Sequence, residues 1–424
     1  MTPQAQGDGN VSQLTYEKLR GAVAGGAVAL RSLTELQPVD GPGGKVFPPT
    51  YAVNAGHKYA VETRQVGDRE VQTVLLDSVA SQANRAELAL LEGWDAGELR
   101  FPVPYVDFTT ENGEFDDVDR LTVLEVPHRL ADAIFRDSLL DGTLFRLSEV
   151  GRAITDAQPR NATALFRYAP TALLFGQWDS TGPKGGLGSK FQRAYVSEIV
   201  GHDVQIGRKV GSRLDPLQIE KLDSEKRVYQ HRNPEEVWTV EESEAELDSK
   251  GKPIYAKRKS GEGEDGQPSK INHGNIPPDI DSASGGVTIS TAMQTTVISL
   301  AALRRLRFAG HSREAQVAAR TAVAALGVAA LVLQHEMDHD LRSRCLLIPQ
   351  HAPRIELVGR DGAAPESVEV DRDAAAQILT QSAQASADLD LGWETAEIKL
   401  QPAPKLLELL RRSREVSARE TPGE

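Results

Sequence analysis

The segment that most constrains this chain is residues 171–216, where the sequence predicts a strand, a glycine-rich basic loop, a helix and a second basic strand. Residues 181–216 hold three acids, Glu198, Asp203 and Asp215, against six cations: Lys184, Lys190, Arg193, Arg208, Lys209 and Arg213. The local charge is therefore +3, although the whole chain has a formal net charge of −13. Cations grouped against an acidic background indicate a local anion-binding site.

The glycine-rich loop does not match the common phosphate-binding motifs. Its glycines (Gly182, Gly185, Gly186 and Gly188) would let the backbone approach a phosphate closely. However, the order Gly188-Ser189-Lys190 is not the Gly-Lys-Ser/Thr that a nucleoside-triphosphate loop requires. The dinucleotide pattern G-x-G-x-x-G occurs at residues 261–266, which are acidic and lie between no predicted strand and helix. The loop is either an anion-binding element or a surface loop with solvated lysines.

Three further segments have a distinctive pattern. Residues 75–91 predict the end of a strand, an N-cap at Ser78 or Ser81, and a helix whose polar start carries Gln82, Asn84 and Arg85. Residues 285–308 predict a turn, a strand and a helix that ends in Arg304, Arg305 and Arg307. Residues 340–349 predict the end of a helix that runs into a buried strand.

Together these segments resemble the backbone RNA-binding subunit of the type I-G (formerly I-U) CRISPR interference complex, in the RAMP superfamily. The motifs that carry the resemblance occur in the family's order: SVASQANRAE, GQWDSTGPKGGLGSKFQRAYVSE, SLAALRRLRF and DLRSRCLL. The resemblance implies an RRM-like palm with inserted fingers and a thumb hairpin that reaches towards the neighbouring subunit. It also implies a non-catalytic protein without a cofactor. Its partners would be crRNA, target DNA through the guide, further copies of the chain and other subunits of the complex.

We expect an α+β fold, because strands and helices mix without a regular βαβ alternation. The resemblance implies that this fold is RRM-like (ferredoxin-like). The predicted palm, with its finger insertions, comprises residues 14–216 and 285–414. Residues 217–284 would form a protruding, thumb-like hairpin insertion with a flexible part, and residues 1–13 and 415–424 would be disordered. The start of the chain lacks the pattern of a signal peptide, and no apolar run approaches the length of a membrane span. We therefore expect a cytoplasmic protein without membrane contact.

A helix predicted over residues 313–339, with a break near Gly327, ends in the zinc motif H-E-x-x-H. His335 and His339 would share one helical face, and Glu336 would lie beside them as a base, so a zinc hydrolase is the alternative function. A third ligand would have to be His351 or Glu356, since the single cysteine, Cys345, lies in an apolar run that predicts a buried thiol. The non-metal interpretation is that both histidines interact with the dipole at the helix C-terminus.

Within the resemblance, the residues expected to bind RNA are cations and the polar start of the second segment. Phosphates would be gripped without reading the sequence, because the guide varies and base pairing supplies specificity. The predicted contacts are Lys184, Lys190, Arg193, Arg208, Lys209 and Arg213, with Gln82, Asn84 and Arg85 near the RNA and Arg304 and Arg305 as further candidates. Asp77 lies where RNA-cleaving type III relatives place a catalytic aspartate, but its position before a helix predicts a helix N-terminal charge.

Overall fold

The computed structural model describes residues 11–52, 56–109, 113–180, 189–223, 226–257 and 265–420. For residues 417–420 it describes the backbone alone. The strands are β1 (Ser12–Gln13), β2 (Ala29–Pro38), β3 (Val61–Val66), β4 (Arg69–Asp77), β5 (Tyr105–Asp107), β6 (Arg120–Thr122), β7 (Ser138–Leu140), β8 (Thr143–Leu144), β9 (Gln177–Trp178), β10 (Lys190–Phe191), β11 (Tyr195–His202), β12 (Gln205–Ile206), β13 (Lys209–Arg213), β14 (Tyr229–Gln230), β15 (Trp238–Thr239), β16 (Ile276–Asp281), β17 (Val287–Thr288), β18 (Thr291–Ser299), β19 (His339–Arg342), β20 (Cys345–Pro349), β21 (Arg354–Val358), β22 (Glu366–Glu369) and β23 (Lys399–Pro402). The helices are α1 (Tyr16–Gly21), α2 (Val79–Asp95), α3 (Ala133–Arg136), α4 (Glu149–Thr155), α5 (Thr163–Tyr168), α6 (Thr171–Phe175), α7 (Leu300–Leu303), α8 (Arg313–Glu336), α9 (Arg372–Ala387) and α10 (Pro404–Glu420). The predicted α+β class is confirmed.

The chain divides into two compact units, Met1–Ile206 with Gly286–Ala403, and Gly207–Gly285 with Pro404–Glu424. The first unit contains a ten-stranded sheet with the path β1-β22-β21-β2-β18-β11-β4-β3, to which β20 and β19 are added beside β2. Each strand in the run β21-β2-β18-β11 pairs antiparallel with the next one. Counted along the chain, their order across the sheet is fourth, first, third, second. Helix α2 precedes β11 and helix α8 precedes β21, as in a βαββαβ arrangement.

Helix α8 lies against the buried face of this sheet. It is continuous through Gly327, so the predicted break there is wrong. A Cβ atom at Gly327 would meet side-chain carbons of Ile298 and Leu174 at 3.1 Å, which shows that the glycine serves close packing rather than a kink. By length and composition α8 could also cross a membrane, contrary to our expectation for any apolar run of this chain. However, 89% of its apolar window is buried within the protein, as in the core helix of a soluble domain.

The segment after the glycine-rich loop is a strand, β11, and not the predicted helix. Its residues alternate in burial, and it pairs with β18 on one side and β4 on the other. This alternation suits β-branched residues such as Val196 and Ile199. The apolar run before the loop, predicted as a strand, is the short buried helix α6. Short apolar runs do not distinguish buried helices from strands, and packing decides the outcome.

Other predicted elements are shorter or longer in the structure. Residues 128–140, whose sequence predicts one helix, form a 3₁₀ turn, the short helix α3 and strand β7, because the extended backbone of Asp132 interrupts the helix. Asp141 and Gly142 then adopt positive φ and turn β7 back onto β8. Ser12 and Gln13, expected to be disordered, pair in parallel with β22, and the Gln13 side chain donates to Glu369. The C-terminal helix continues to Glu420. Cys345 is buried, as predicted.

The second unit contains two short ribbons and α10. Strand β13 pairs with β16, and β14 pairs with β15. The turn predicted at residues 248–252 is confirmed, since Leu247 and Pro253 form a bridge and Asp248 accepts the backbone N–H of Lys252. The predicted partner of residues 253–257 was residues 236–240, but β15, within that range, pairs with β14 instead. Part of the predicted flexible segment, residues 260–264, lies outside the described residues; its last residues, Pro268 and Ser269, lie in a 3₁₀ turn.

Candidate nucleic-acid interface

A buried ion pair holds the base of the hairpin that carries the glycine-rich loop. Glu87 on α2 accepts two hydrogen bonds from Arg129, at 2.6 and 2.8 Å, and both side chains are buried. Arg129 also donates to the carbonyl oxygen of Gly176, 2.9 Å away, directly before β9. Burial raises the pKa of Glu87, while the Arg129 guanidinium opposes that shift. The pair thereby fixes where the basic hairpin leaves the core.

Four side chains at this hairpin form a surface that we call the basic edge: Trp178, Lys190, Arg193 and Arg305. Lys190 pairs in register with Trp178, and its Nζ lies 5.1 Å from the centre of the indole ring, which is 55% exposed. Arg305, just beyond α7, donates to the Gln192 side chain at 3.0 Å, so the end of β18 meets the start of β11 here. Among the described residues no carboxylate lies within 4.0 Å of these three cations. The combination of free cations and an exposed aromatic ring suits a phosphate backbone and an unstacked base.

Hydrogen bonds fix the two residues that flank the glycine-rich loop, Asp179 and Ser189. Asp179 donates its N–H to the carbonyl of Ser189 at 2.9 Å and accepts a hydrogen bond from Arg146 at 2.7 Å. Lys184 and the glycines at 182–188 lie outside the described residues, so their predicted roles stay predictions. Trp178 was missed at the sequence level, although its position next to a glycine-rich basic loop was the available indication.

The predicted cations of the second unit are engaged within that unit. Lys209 pairs with Asp281 at 3.2 Å. Arg213 donates to the carbonyl oxygens of His273 and Gly274 at 2.8 and 3.0 Å. Arg208 is exposed and also has an interaction partner. These contacts give Lys209 and Arg213 a structural role that their sequence position does not reveal.

Gln82 is buried and belongs to a polar network under α2. Its side-chain oxygen accepts hydrogen bonds from Ser197, Gln294 and Gln334 at 2.8–3.0 Å, and its amide donates to Asp77 at 2.7 Å. A side chain at 1% exposure with all these partners has a structural role in the core of the first unit. The predicted position of Gln82 near the RNA stays a prediction. Asn84, by contrast, is exposed.

Asp77 is the charged centre of this network. It accepts hydrogen bonds from Arg85 at 3.0 Å and from Arg342 at 3.1 Å, and its side chain is 1% exposed. Arg85 also donates to the carbonyl of Leu341 at 2.6 Å, which joins α2 to β19. Its predicted position near the RNA stays a prediction. Such burial leaves no path for a substrate to Asp77, which argues against the catalytic position of the RNA-cleaving relatives. It acts as a buried ion-pair partner, beyond the helix charge that the sequence predicts.

The side chains of Arg304 and Arg305 are adjacent in sequence but contact different parts of the first unit. Arg304 donates to the carbonyl oxygens of Ala22 and Val23, both at 3.2 Å, whereas Arg305 contacts Gln192. Only Arg305 therefore belongs to the basic edge.

The H-E-x-x-H motif does not form the geometry that zinc requires. Helix α8 ends at Glu336, Asp338 takes a positive φ of 57°, and His339 lies on β19, so the two histidines do not share a helical face. Their ring centres are 6.3 Å apart, and His339 bonds to Gln294 at 3.0 Å. Glu336 pairs with Arg372. Within the described ranges, no group of three or more potential metal ligands is present.

The proposed third ligands are no better placed. Glu356 on β21 forms salt bridges with Arg31 at 2.6 Å and with Arg354 at 3.0 Å. His351 is exposed. The two histidines are separated for a local reason: helix α8 ends at Glu336, and the left-handed backbone of Asp338 leads into β19 before the second histidine. A motif defined by spacing alone assumes that the helix continues.

We expect the two histidines to make the protein less stable in acid. Burial lowers the pKa of His335 to about 4, and burial also lowers the pKa of His339. The unfolded chain therefore binds more protons below pH 6.5, so the stabilisation is present in full above that pH and is lost as the pH falls towards 4. The free energy of unfolding should decrease by about 2 kcal/mol over this range.

Urea denaturation between pH 7 and 4 checks this expectation. His335→Gln should flatten the profile, whereas His128→Gln, at an exposed position, should leave it unchanged. A His335→Gln profile with the wild-type slope would contradict the assignment.

One comparison bears on identity. No curated protein matches the chain. Residues 30–206, from β2 to β12, match the family model described as CRISPR-associated protein GSU0053. The matched range contains Trp178, Lys190 and Arg193 of the basic edge and excludes the His335 motif. Residues 30–206 are therefore similar to this CRISPR-associated family.

Proposed function

We propose that this chain is a non-catalytic, guide-RNA-binding backbone subunit of a cytoplasmic CRISPR interference complex that targets DNA. The observation that carries the proposal is the basic edge of a chain of net charge −13. There Lys190 lies over an exposed tryptophan, and among the described residues Lys190, Arg193 and Arg305 form no salt bridge with a carboxylate within 4.0 Å. Lys190, Arg193 and Arg305 would contact phosphates, and Lys184 would add a further contact from the loop. Trp178 would stack on a base without selecting its identity.

The architecture supports an RRM-like palm. The strand order fourth, first, third, second, with α2 and α8 on one face, is that of a ferredoxin-like βαββαβ unit. RRM domains bind single-stranded RNA, and a backbone subunit must bind any guide sequence, which suits contacts to phosphate rather than to base edges. The family match over residues 30–206 supports the CRISPR setting.

The second unit supports contacts between copies. The β13–β16 ribbon exposes apolar side chains on both strands, with Val210 at 70% and Ile280 at 60% exposure, in register with each other. Leu214 beyond β13 is 86% exposed. Exposed apolar groups of this kind are typical of a protein contact surface. We propose that the ribbon acts as the thumb that reaches a neighbouring copy along the RNA.

The test is whether RNA accompanies the protein. Purified from a bacterial host that also expresses a CRISPR array, the protein should carry RNA of guide length. Retention should fall steeply with salt, because each phosphate contact releases counterions. The control is the same purification without the array. Preparations free of nucleic acid that also ignore guide RNA at low salt would rule the proposal out.

A further inference from the structure

A second group of cations surrounds a pocket of about 510 Å³ in the first unit. We call it the arginine pocket. It is lined by Ala24, Arg304, Arg307, Arg313, Gln316, Val317 and Arg320. No acidic side chain is among these residues.

The local sequence explains why the arginines meet. Arg313, Gln316, Val317 and Arg320 are spaced by three, four and seven positions, so they share one face of the first two turns of α8. Ser312 caps this helix by accepting the N–H of Ala315 at 3.1 Å. The segment just after α7 brings Arg304 and Arg307 to the same place. The positive end of a 24-residue helix therefore lies beside the pocket.

Neutral groups hold the guanidiniums in position. Arg320, 7% exposed, donates twice to the carbonyl of Leu306, at 3.0 and 2.6 Å. Arg307 donates to the carbonyl of Arg304 at 3.1 Å. Glu314, the acid nearest in sequence, pairs with Arg20 on α1. Across the described part of the chain, none of the four pocket arginines has a carboxylate within 4.0 Å.

The charges of the pocket are therefore uncompensated. Burial, together with repulsion from Arg307 and Arg304, lowers the pKa of Arg320 to about 10. Burial lowers the pKa of Arg304 as well, with Arg360 adding to the effect. Nη2 of Arg304 is buried and has no hydrogen-bond partner. Such an arrangement is unfavourable unless an anion occupies it.

We propose that the arginine pocket binds a phosphate group. Guanidinium forks match the oxygens of phosphate, and a phosphate presents more acceptor oxygens to converging arginines than one carboxylate does. The helix N-terminus favours the same charge. The phosphate comes either from a free phosphate compound or from a phosphodiester of nucleic acid. This site does not depend on the guide-RNA function.

Titration calorimetry at low salt with pyrophosphate and with inorganic phosphate tests the site directly. Wild-type protein should bind pyrophosphate at one site per chain. Arg307→Gln combined with Arg313→Gln should weaken binding at least about tenfold, since charge-assisted hydrogen bonds are lost. Both positions are exposed, so the melting temperature should hold. The matched control is Arg69→Gln combined with Arg152→Gln, which removes two exposed arginines of the first unit that belong neither to the pocket nor to the basic edge.

Measuring RNA binding at several salt concentrations shows whether the bound phosphate belongs to a free phosphate compound or to a phosphodiester of nucleic acid. If the pocket takes a phosphodiester, the double variant should lose about 1.4 units of the salt slope for single-stranded RNA. If it takes a free phosphate compound, RNA binding should stay unchanged while pyrophosphate binding is lost. Both results support the site.

Absence of pyrophosphate and phosphate binding by the wild type, or equal binding by the double variant, would overturn the inference. An oligoglutamate peptide that binds more tightly than pyrophosphate and loses affinity in the double variant would also overturn it, in favour of an acidic protein segment. If RNA accompanies the purified protein but the pocket fails these tests, the phosphate site is ruled out and the proposed guide-RNA function is not affected.

Discussion

Replacing Asp77 with asparagine should lower the free energy of unfolding by about 3–5 kcal/mol. The substitution keeps the size of the side chain but removes the charge that Arg85 and Arg342 share, at 3.0 and 3.1 Å. It also turns an amide donor towards the donors of those arginines. Asp77 is buried and the two arginines are about 30% exposed, so water replaces the lost carboxylate only in part. Urea denaturation followed by tryptophan fluorescence and circular dichroism measures the difference.

The matched control for this variant is Glu198→Gln. Glu198 pairs with Arg64 at 2.6 Å, but both side chains are about one-third exposed. A partly exposed pair contributes at most about 1 kcal/mol. If Asp77→Asn were no more destabilising than Glu198→Gln, the network under α2 would not be the structural centre that its burial indicates.

Local patterns predicted the elements that combine a cap with a clear period. Ser78 caps α2 by accepting the N–H of Ser81, and Asp371 caps α9 in the same way, by accepting the N–H of Ala374. Both helices begin where their N-cap residues place them. The strand at residues 29–38 also follows from its alternation. In these cases the local preference and the tertiary packing agree.

The elements that could not be predicted are those decided by distant partners. The strand β11 was taken for a helix because its apolar run has no strict period, yet its pairing with β18 and β4 fixes it as a strand. Gly327 looked like a helix break, but its meaning depends on Ile298, which lies 29 positions earlier in sequence. A single residue, Asp338, separates His335 from His339 by ending α8. Sequence spacing carries none of this information.

The candidate site was predicted in part for the same reason. Lys190 and Arg193 are exposed, as a cation that binds an external phosphate must be, and their contact with RNA stays a prediction. Arg85 and Gln82 have the same polar character, but the fold turns them inwards onto Asp77. Composition identifies polar groups, whereas only tertiary structure shows whether their partners are internal or external.

The largest expected effect on function is at the basic edge. We expect the combined change of Lys190, Arg193 and Arg305 to alanine to weaken the binding of guide RNA by at least about 100-fold at low salt, since each charge-assisted phosphate contact contributes about 1.5 kcal/mol or more. The salt slope should fall by about 2 units for three lost phosphate contacts on a single strand. The loss should be the same for every guide sequence. Fluorescence anisotropy with two unrelated guide RNAs at several salt concentrations measures both quantities.

The three substitutions should leave the fold intact. Among the described residues, the charged end of Lys190 contacts Trp178 and that of Arg305 contacts Gln192, and Arg193 is exposed. A charge-matched control, Arg69, Arg100 and Arg152 to alanine, removes three exposed cations from other parts of the first unit. It separates a local contact from the effect of a more negative net charge, because general repulsion would weaken both triple variants equally. Equal losses in the two would contradict the basic edge as the RNA surface. A selective loss at Lys190, Arg193 and Arg305 would place the guide beside Trp178, where Trp178→Ala should then weaken binding further by about 1–3 kcal/mol through loss of base stacking.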